Sequence, residues 1–230
     1  METGTAENGC PAGGRECPLA IEVAQLREQC RRLEALSYID ALTGIYNFRY
    51  LQRALEMEME RTRRTKLPTS LIMADLDHFK GINGAYGHEA GNAALAWVSR
   101  IWRESIRVID VACRYGGEEF ALILPSTSLV QSINIAERLR MMISSNPVIL
   151  NEQTVTLTAS FGVAAFGDSD DWTVSEFMSR ADGFLFQAKS LGRNRVCCQE
   201  IAPVLPEVGV TQDEKDGLFA RIDPDKDESP

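Results

Sequence analysis

Two adjacent glycines followed by two glutamates, in Arg114-Tyr-Gly-Gly-Glu-Glu-Phe120, join the short apolar runs Val111-Ala-Cys113 and Phe120-Ala-Leu-Ile-Leu124. Gly-Gly between β-prone runs predicts a hairpin, because glycine takes the positive φ that a tight primed turn needs. The chain must then present the carboxylates of Glu118 and Glu119 at the tip of a sheet. Upstream, Ser70-Leu-Ile-Met-Ala-Asp75-Leu-Asp77 is an apolar strand that ends in carboxylates. Strand ends are where ligands and metals are commonly held. If this strand pairs with the hairpin, Asp75 and Glu118 converge at solvent-facing strand tips. Two hard oxygen donors with little else suit Mg²⁺, which keeps waters and takes further ligands from substrate phosphates. Such a pair points to phosphoryl or nucleotidyl transfer.

Helical and extended patterns alternate along the rest of the chain. Asp40 to Gly44 reads as a turn, and Asn47 as the cap of a helix over about 47–65. A strand over about 69–75, a short helix or turn from Phe79 to Gly84 and a helix from His88 to Ser105 precede the hairpin at about 111–124. A helix over Ser128 to Ser145 follows. Val155 to Phe166 reads as one strand, with Gly162 a bulge or a point of close approach. A helix from Val174 to Leu191 is ended by Gly192, and Arg195 to Cys198 forms a short last strand. The fold class is mixed, α/β or α+β.

The quoted motifs resemble those of the GGDEF-domain diguanylate cyclases. The signature run matches, with Asp75-Leu-Asp-His-Phe-Lys80, Gly87-His-Glu-Ala-Gly91, Asp40-Ala-Leu-Thr-Gly44 and Ala188-Lys-Ser-Leu-Gly-Arg-Asn-Arg195 in the family's order and spacing. The resemblance covers about residues 38–198. It implies a palm-like βαββαβ nucleotide-cyclase core over 38–199 that joins two GTP into cyclic di-GMP with release of pyrophosphate. Each domain holds one GTP, so a homodimer is implied for catalysis. It also implies Mg²⁺, with Mn²⁺ as an alternative.

The family's roles carry over by position. Asp75, Glu118 and the backbone carbonyl of Leu76 match the metal ligands. Glu118 is also placed to assist deprotonation of the attacking hydroxyl, and Glu119 either supports the metal or orients the hairpin. Backbone amides of His78, Phe79 and Lys80 would face the β- and γ-phosphates as the chain turns off its strand. Lys189 and Arg193, one helical turn apart, would reach the phosphates too. Asn83 matches a guanine contact. Arg107-Val-Ile-Asp110 matches the family's inhibitory Arg-x-x-Asp site for cyclic di-GMP; arginine forks onto guanine or phosphate, and aspartate takes the guanine N1/N2 edge.

The sequence departs from the family at the base. The usual aspartates are Gly84 and Asn92 here. An aspartate at 92 accepts from guanine N1–H and the 2-amino group together, whereas Asn92 offers one oxygen and adds a donor. Weakened GTP binding, relaxed purine choice and lost turnover are all compatible with that change. Three readings follow: an active diguanylate cyclase, a degenerate domain that binds cyclic di-GMP at Arg107 and Asp110, and a cyclase with altered purine preference.

Composition sets the remaining bounds. Residues 201–230 carry eight acidic and three basic side chains, −5 of the net −9, so the acidity is largely that of a tail and a broad nucleic-acid surface is not expected. No apolar run approaches the roughly 20 residues of a membrane helix, and the first residues lack a signal peptide's basic flank and apolar core. A cytoplasmic location without membrane or nucleic-acid partners is the expectation. The six cysteines include no C-x₂-C pair, which argues against a zinc site; Cys113 and Cys197 read as core residues. Residues 1–17 read as a disordered leader and 200–230 as a flexible acidic tail. From Pro18 a helix over 18–37 carries Leu19, Val23, Leu26, Cys30 and Leu33 at alternating steps of four and three, a coiled-coil seam of about two heptads. It either packs on its own domain or dimerises and relays the signal of an upstream partner.

Overall fold

The computed structural model describes residues 21–29 and 38–199. The expected leader, the acidic tail and both ends of the expected helix 18–37 lie outside the described residues. Residues 21–29 are helical (α1), with Val23 and Leu26 exposed.

The chain then runs β1 (Tyr46–Asn47), α2 (Phe48–Thr65), β2 (Thr69–Leu76), α3 (Phe79–Tyr86), α4 (His88–Ser105), β3 (Val111–Gly116), β4 (Glu119–Leu124), α5 (Leu129–Ser145), β5 (Val148–Leu150), β6 (Gln153–Val155), β7 (Ala159–Phe166), α6 (Val174–Ser190) and β8 (Val196–Cys198). Six strands form one sheet in the order β1-β3-β4-β2-β7-β8. β2 lies between β4 and β7, antiparallel to both, while β1 and β8 add on in parallel. The strands β2, β3, β4 and β7 with the helices between them are the βαββαβ core that the resemblance implies.

Every residue of β2 is buried. Period-two alternation sends Ile72, Ala74 and Leu76 to one face, against α4 and α5, and Leu71 and Met73 to the other, against α2 and α6. β4 divides likewise, with Phe120, Leu122 and Leu124 opposite Ala121 and Ile123. A sheet covered on both sides needs near-continuous apolar strands, which is why these segments show no polar alternation. Trp102 of α4 is fully buried and meets the Phe120 ring edge to face at 4.6 Å.

Helix boundaries follow local chemistry. Asn47 caps α2 by accepting from Tyr50 N, and Ser128 and Thr173 close capping boxes with Gln131 and Glu176. The expected single strand from Val155 to Phe166 is corrected. Its first residue belongs to the separate hairpin β5–β6, and pairing with β2 begins at Ala159. Gly162 is a point of close approach: a Cβ there would lie 2.1 Å from Ala181 O and 2.2 Å from Leu185 N. Helix α6 therefore rests directly on β7. Among the described residues no helix is long and apolar enough to cross a membrane. Cys113 is buried, which pushes its thiol up to about 12 and leaves it unreactive; Cys197 is half-buried.

Candidate active site

The ends of β2 and β4 bring the first acidic residues together. Asp75 sits opposite Glu119 on β4 and Ser160 on β7. Gly116 pairs with Glu119, which leaves Gly117 and Glu118 as a two-residue loop. Of the two glycines only Gly117 adopts a left-handed φ, 49°. A bulge at Tyr115 precedes the turn. Leu76 N–H donates to Glu118 O at 3.3 Å, tying the hairpin tip to the end of β2.

Asp75 is 8% exposed, so it is a buried carboxylate and not the solvent-facing one expected of a strand tip. Burial raises its pKa, the Lys189 ammonium lowers it, and the neighbouring charges of Glu118 and Asp77 raise it again, leaving it above the ordinary value. Lys189 Nζ lies 2.8 Å from Asp75 Oδ2. Glu119 is shifted upward too, by burial first and then by Asp75. The corner therefore carries more negative charge than Lys189 alone offsets.

That surplus, with hard oxygen donors on two adjacent strands, fits a divalent cation such as Mg²⁺. Among the described residues no three His, Cys, Asp or Glu side chains cluster to hold a metal by themselves. The fit is to an ion that shares its coordination with substrate phosphates and water.

The remaining expected residues lie on α3, on α4 and in the turn after α6. His78 occupies the left-handed region at φ 56° and opens α3 without a side-chain cap, so the first-turn amides of the helix are not claimed by one. Phe79 is buried and Lys80 exposed. Asn83 lies against α4 at Gly91, where a Cβ would fall 1.9 Å from its Oδ1. Asn83 is half-buried and Asn92, the residue after Gly91, is exposed. Arg193 is exposed just beyond α6 in a left-handed turn.

Arg107 and Asp110 stand apart from that corner. Asp110 is buried, its Oδ2 accepts from Arg107 N at 2.8 Å, and its Oδ1 has no hydrogen-bond partner. The two residues border a cavity of about 360 Å³ shared with Ile39, Gly44, Tyr46 and Arg103. Burial raises the Asp110 pKa against the opposing pull of Arg107 and Arg138. Sequence reasoning missed Arg103 and Arg138, which lie on α4 and α5 and carry no motif.

It also missed the work of the turn at Asp40. Asp40 Oδ1 accepts from Thr43 N at 2.9 Å and Thr43 Oγ1 at 2.6 Å, and Arg114 Nη1 lies 3.3 Å from both carboxylate oxygens. Arg114 Nε in turn donates to Gly117 O at 2.9 Å. The turn thereby holds the hairpin tip. Burial raises the Asp40 pKa, but the Thr43 hydrogen bonds and Arg114 outweigh it and the net shift is downward from 3.8. A lowered folded pKa means stability that is fully present above the unfolded value and lost as pH falls through the folded one. Asp40→Asn should therefore melt below wild type at pH 7, and the gap should close as pH falls below 3.8. Thermal melts across pH check this; a gap independent of pH would remove the charge from the account.

The comparisons with known proteins agree with this architecture. The family described as diguanylate cyclase, GGDEF domain, matches residues 37–195. The response regulator PleD of Caulobacter vibrioides is 39% identical over 163 residues, 70% of this chain and 36% of PleD. Diguanylate cyclase SiaD of Pseudomonas aeruginosa, solved in complex with its activator SiaC, superposes with a TM-score of 0.67 at 33% identity, over 78% of this chain and 70% of that one. The coiled coil and GGDEF domain of DgcB from Caulobacter crescentus, in complex with c-di-GMP, gives 0.67 at 27% identity, over 78% and 95%. The chain belongs to the diguanylate cyclase GGDEF-domain family. It spans about a third to a half of the length of the curated relatives it matches.

Proposed function

We propose that this domain is a diguanylate cyclase that condenses two GTP into cyclic di-GMP in the cytoplasm. The convergence of Asp75 and Glu118 beside Lys189 and the start of α3 carries the reading. Asp75, Glu118 and the Leu76 carbonyl would hold Mg²⁺ or Mn²⁺, which when bound polarises the α-phosphate and lowers the pKa of the attacking hydroxyl. The amides of His78, Phe79 and Lys80 receive the terminal phosphates. Lys189 exchanges its contact with Asp75 for phosphate oxygens, and Arg193 closes on them from the turn after α6. Glu118 accepts the proton of the 3′-hydroxyl as the O3′–Pα bond forms and the bond from Pα to the pyrophosphate oxygen breaks. Glu119 and the Asp40–Arg114 pair keep the hairpin in place.

One site per domain and two GTP per product require a second copy facing the first. The exposed seam positions Val23 and Leu26 of α1 favour a helix that pairs with its counterpart over one packed on its own domain. DgcB was solved with a coiled coil, and an upstream partner would act through such a helix. Purified protein incubated with Mg²⁺ and GTP, ATP or both, with products identified by mass, tests the reaction. Cyclic di-GMP is expected from GTP; no cyclic dinucleotide from any mixture would leave only a binding domain.

Asn92 tunes the base. Asn92→Asp should lower the GTP KM by roughly 10- to 100-fold, one hydrogen bond to a charged group, less the desolvation of the new charge, and should reduce any use of ATP. Unchanged KM and purine preference would show that residue 92 does not face the base.

The cavity at Arg107 and Asp110 is proposed to bind the product and inhibit. The unpartnered buried oxygen of Asp110 supports this, since such an acceptor awaits a donor. Arg107→Ala should weaken cyclic di-GMP binding by about tenfold or more and relieve inhibition while initial turnover persists. Calorimetric titration checks the affinity, and an unchanged value would make Arg107 an ordinary surface residue.

A further inference from the structure

Asp77 lies two residues beyond Asp75, is 5% exposed, and takes no part in the reaction proposed above. Its carboxylate is fully engaged. Oδ1 accepts from Ser160 Oγ at 2.6 Å, and Oδ2 accepts from Thr158 Oγ1 at 2.8 Å and from the backbone N–H of Asn194 at 3.0 Å. Its own N–H donates to Thr158 O at 2.9 Å. Two of the three side-chain contacts hold the carboxylate still; the third reaches across to the segment that follows α6.

That segment is an unusual piece of backbone. Gly192, Arg193 and Asn194 have φ of 112°, 64° and 45°, three consecutive residues on the left-handed side, two of them not glycine. Such a conformation persists only where surrounding contacts over-determine it. Arg193 N–H returns to Ala188 O at 3.0 Å, Phe161 N–H donates to Arg195 O at 2.9 Å, and Arg140 Nη1 donates to Asn194 Oδ1 at 3.0 Å. These ties run to α6, β7 and α5. The tie through Asp77 runs to the chain leaving β2, two residues from the proposed metal ligand Asp75.

We propose that Asp77 is a positioning residue for Arg193, fixing the turn after α6 so that the guanidinium stands at a set distance from the Asp75–Glu118 corner and receives the β- and γ-phosphates of GTP. The inference rests on the reading of this corner as a GTP site. A flexible arginine on a loose turn would bind the same phosphates only after being ordered, and the ordering would subtract from affinity. The hydrogen bond from Asn194 supplies that order in advance.

The test is a mutant cycle read by calorimetry on the full chain, with the non-reacting analogue guanosine 5′-[α,β-methylene]triphosphate and, separately, GMP. Asp77→Ala and Arg193→Ala should each weaken analogue binding by about tenfold, the scale of a charge-assisted contact. The double variant should be no weaker than the weaker single one, because both changes remove the same contact. GMP, which lacks the terminal phosphates, should bind all variants within about twofold of wild type. Asp77→Asn should restore most of the affinity, since its carbonyl still accepts from Asn194 while its amide faces the Ser160 hydroxyl. Additive losses in the cycle, or an equal loss for GMP, would overturn the assignment and leave Asp77 a general structural residue. Should Asp77→Ala not fold, hydrogen exchange on the wild type decides: the Asn194 amide must be protected, and exchange at the rate of an open loop overturns the proposal. A wild type that binds no analogue fails the GTP reading itself, whereas one that binds it and shows additivity fails only the role of Asp77.

Discussion

Asp75→Ala and Glu118→Ala should each reduce cyclic di-GMP formation by roughly 10³-fold or more, the scale on which a single electrostatic partner of a reacting phosphate is felt. Both variants should remain folded, and for Asp75 the structure gives a specific reason. Its carboxylate is buried, shifted upward by desolvation, and faces the like charges of Glu118 and Asp77. Removing it relieves that repulsion, and Lys189, which is part-exposed, can turn to water. The thermal midpoint of Asp75→Ala should therefore equal or exceed that of wild type, as is common where function holds a destabilising group in place. Turnover measured beside a thermal melt checks both halves. A variant with normal melting and near-normal turnover would remove Asp75 from the metal site; one that melts far below wild type would make its ion pair with Lys189 structural.

Gly162→Ala should be strongly destabilising. Its Cβ would fall 2.1 Å from Ala181 O, 2.2 Å from Leu185 N and 2.8 Å from Leu185 Cα, all helix backbone that no rotamer change can move aside. Helix α6 would have to lift from β7. Overpacking of this kind costs about 3 kcal/mol or more, and for a domain of this size that lowers the melting midpoint by roughly 6–12 °C. The displaced helix carries Lys189, so GTP affinity should fall with stability. A melt within about 2 °C of wild type, under 1 kcal/mol, would show that α6 has room at this point.

The extent to which the chain could be read in advance depended on how local each signal was. The hairpin at Gly116–Gly117, the capped starts of α2, α5 and α6, and the long apolar strands follow from side chains within a few residues of one another. The hairpin at 148–155 escaped because its turn is Asn151–Glu152, both left-handed at φ 47° and 65°. Glutamate is a poor marker of that conformation, and the β-branched residues after it read as the start of the next strand. β1 is only two residues long and exists through its pairing with β3. The candidate site shows the same division. Asp75, Glu118 and Lys189 stand in recognisable runs. The partners of Asp77 are 81, 83 and 117 residues away, and Arg114 meets Asp40 across 74 residues; nothing local announces either. The solvent-facing Asp75 expected from its place at a strand end failed for a related reason: Asp75 shares the sheet face of Leu71 and Met73, and Lys189 of the distant helix α6 lies over it at 2.8 Å.

Among the described residues, the two outermost strands of the sheet, β1 with two residues and β8 with three, have a consequence for assembly. Short margins of this kind offer few free backbone N–H and C=O groups to a neighbouring chain. Copies of this protein are thus poorly equipped to join by continuing one another's sheet, the route that locks strands together slowly and often irreversibly. In the dimer proposed for catalysis, the encounter would instead be made by side chains and bound nucleotide at the hairpin face. Contacts of that sort form and dissolve quickly, which would suit the proposed reaction, whose two halves must meet for each product and part to release it.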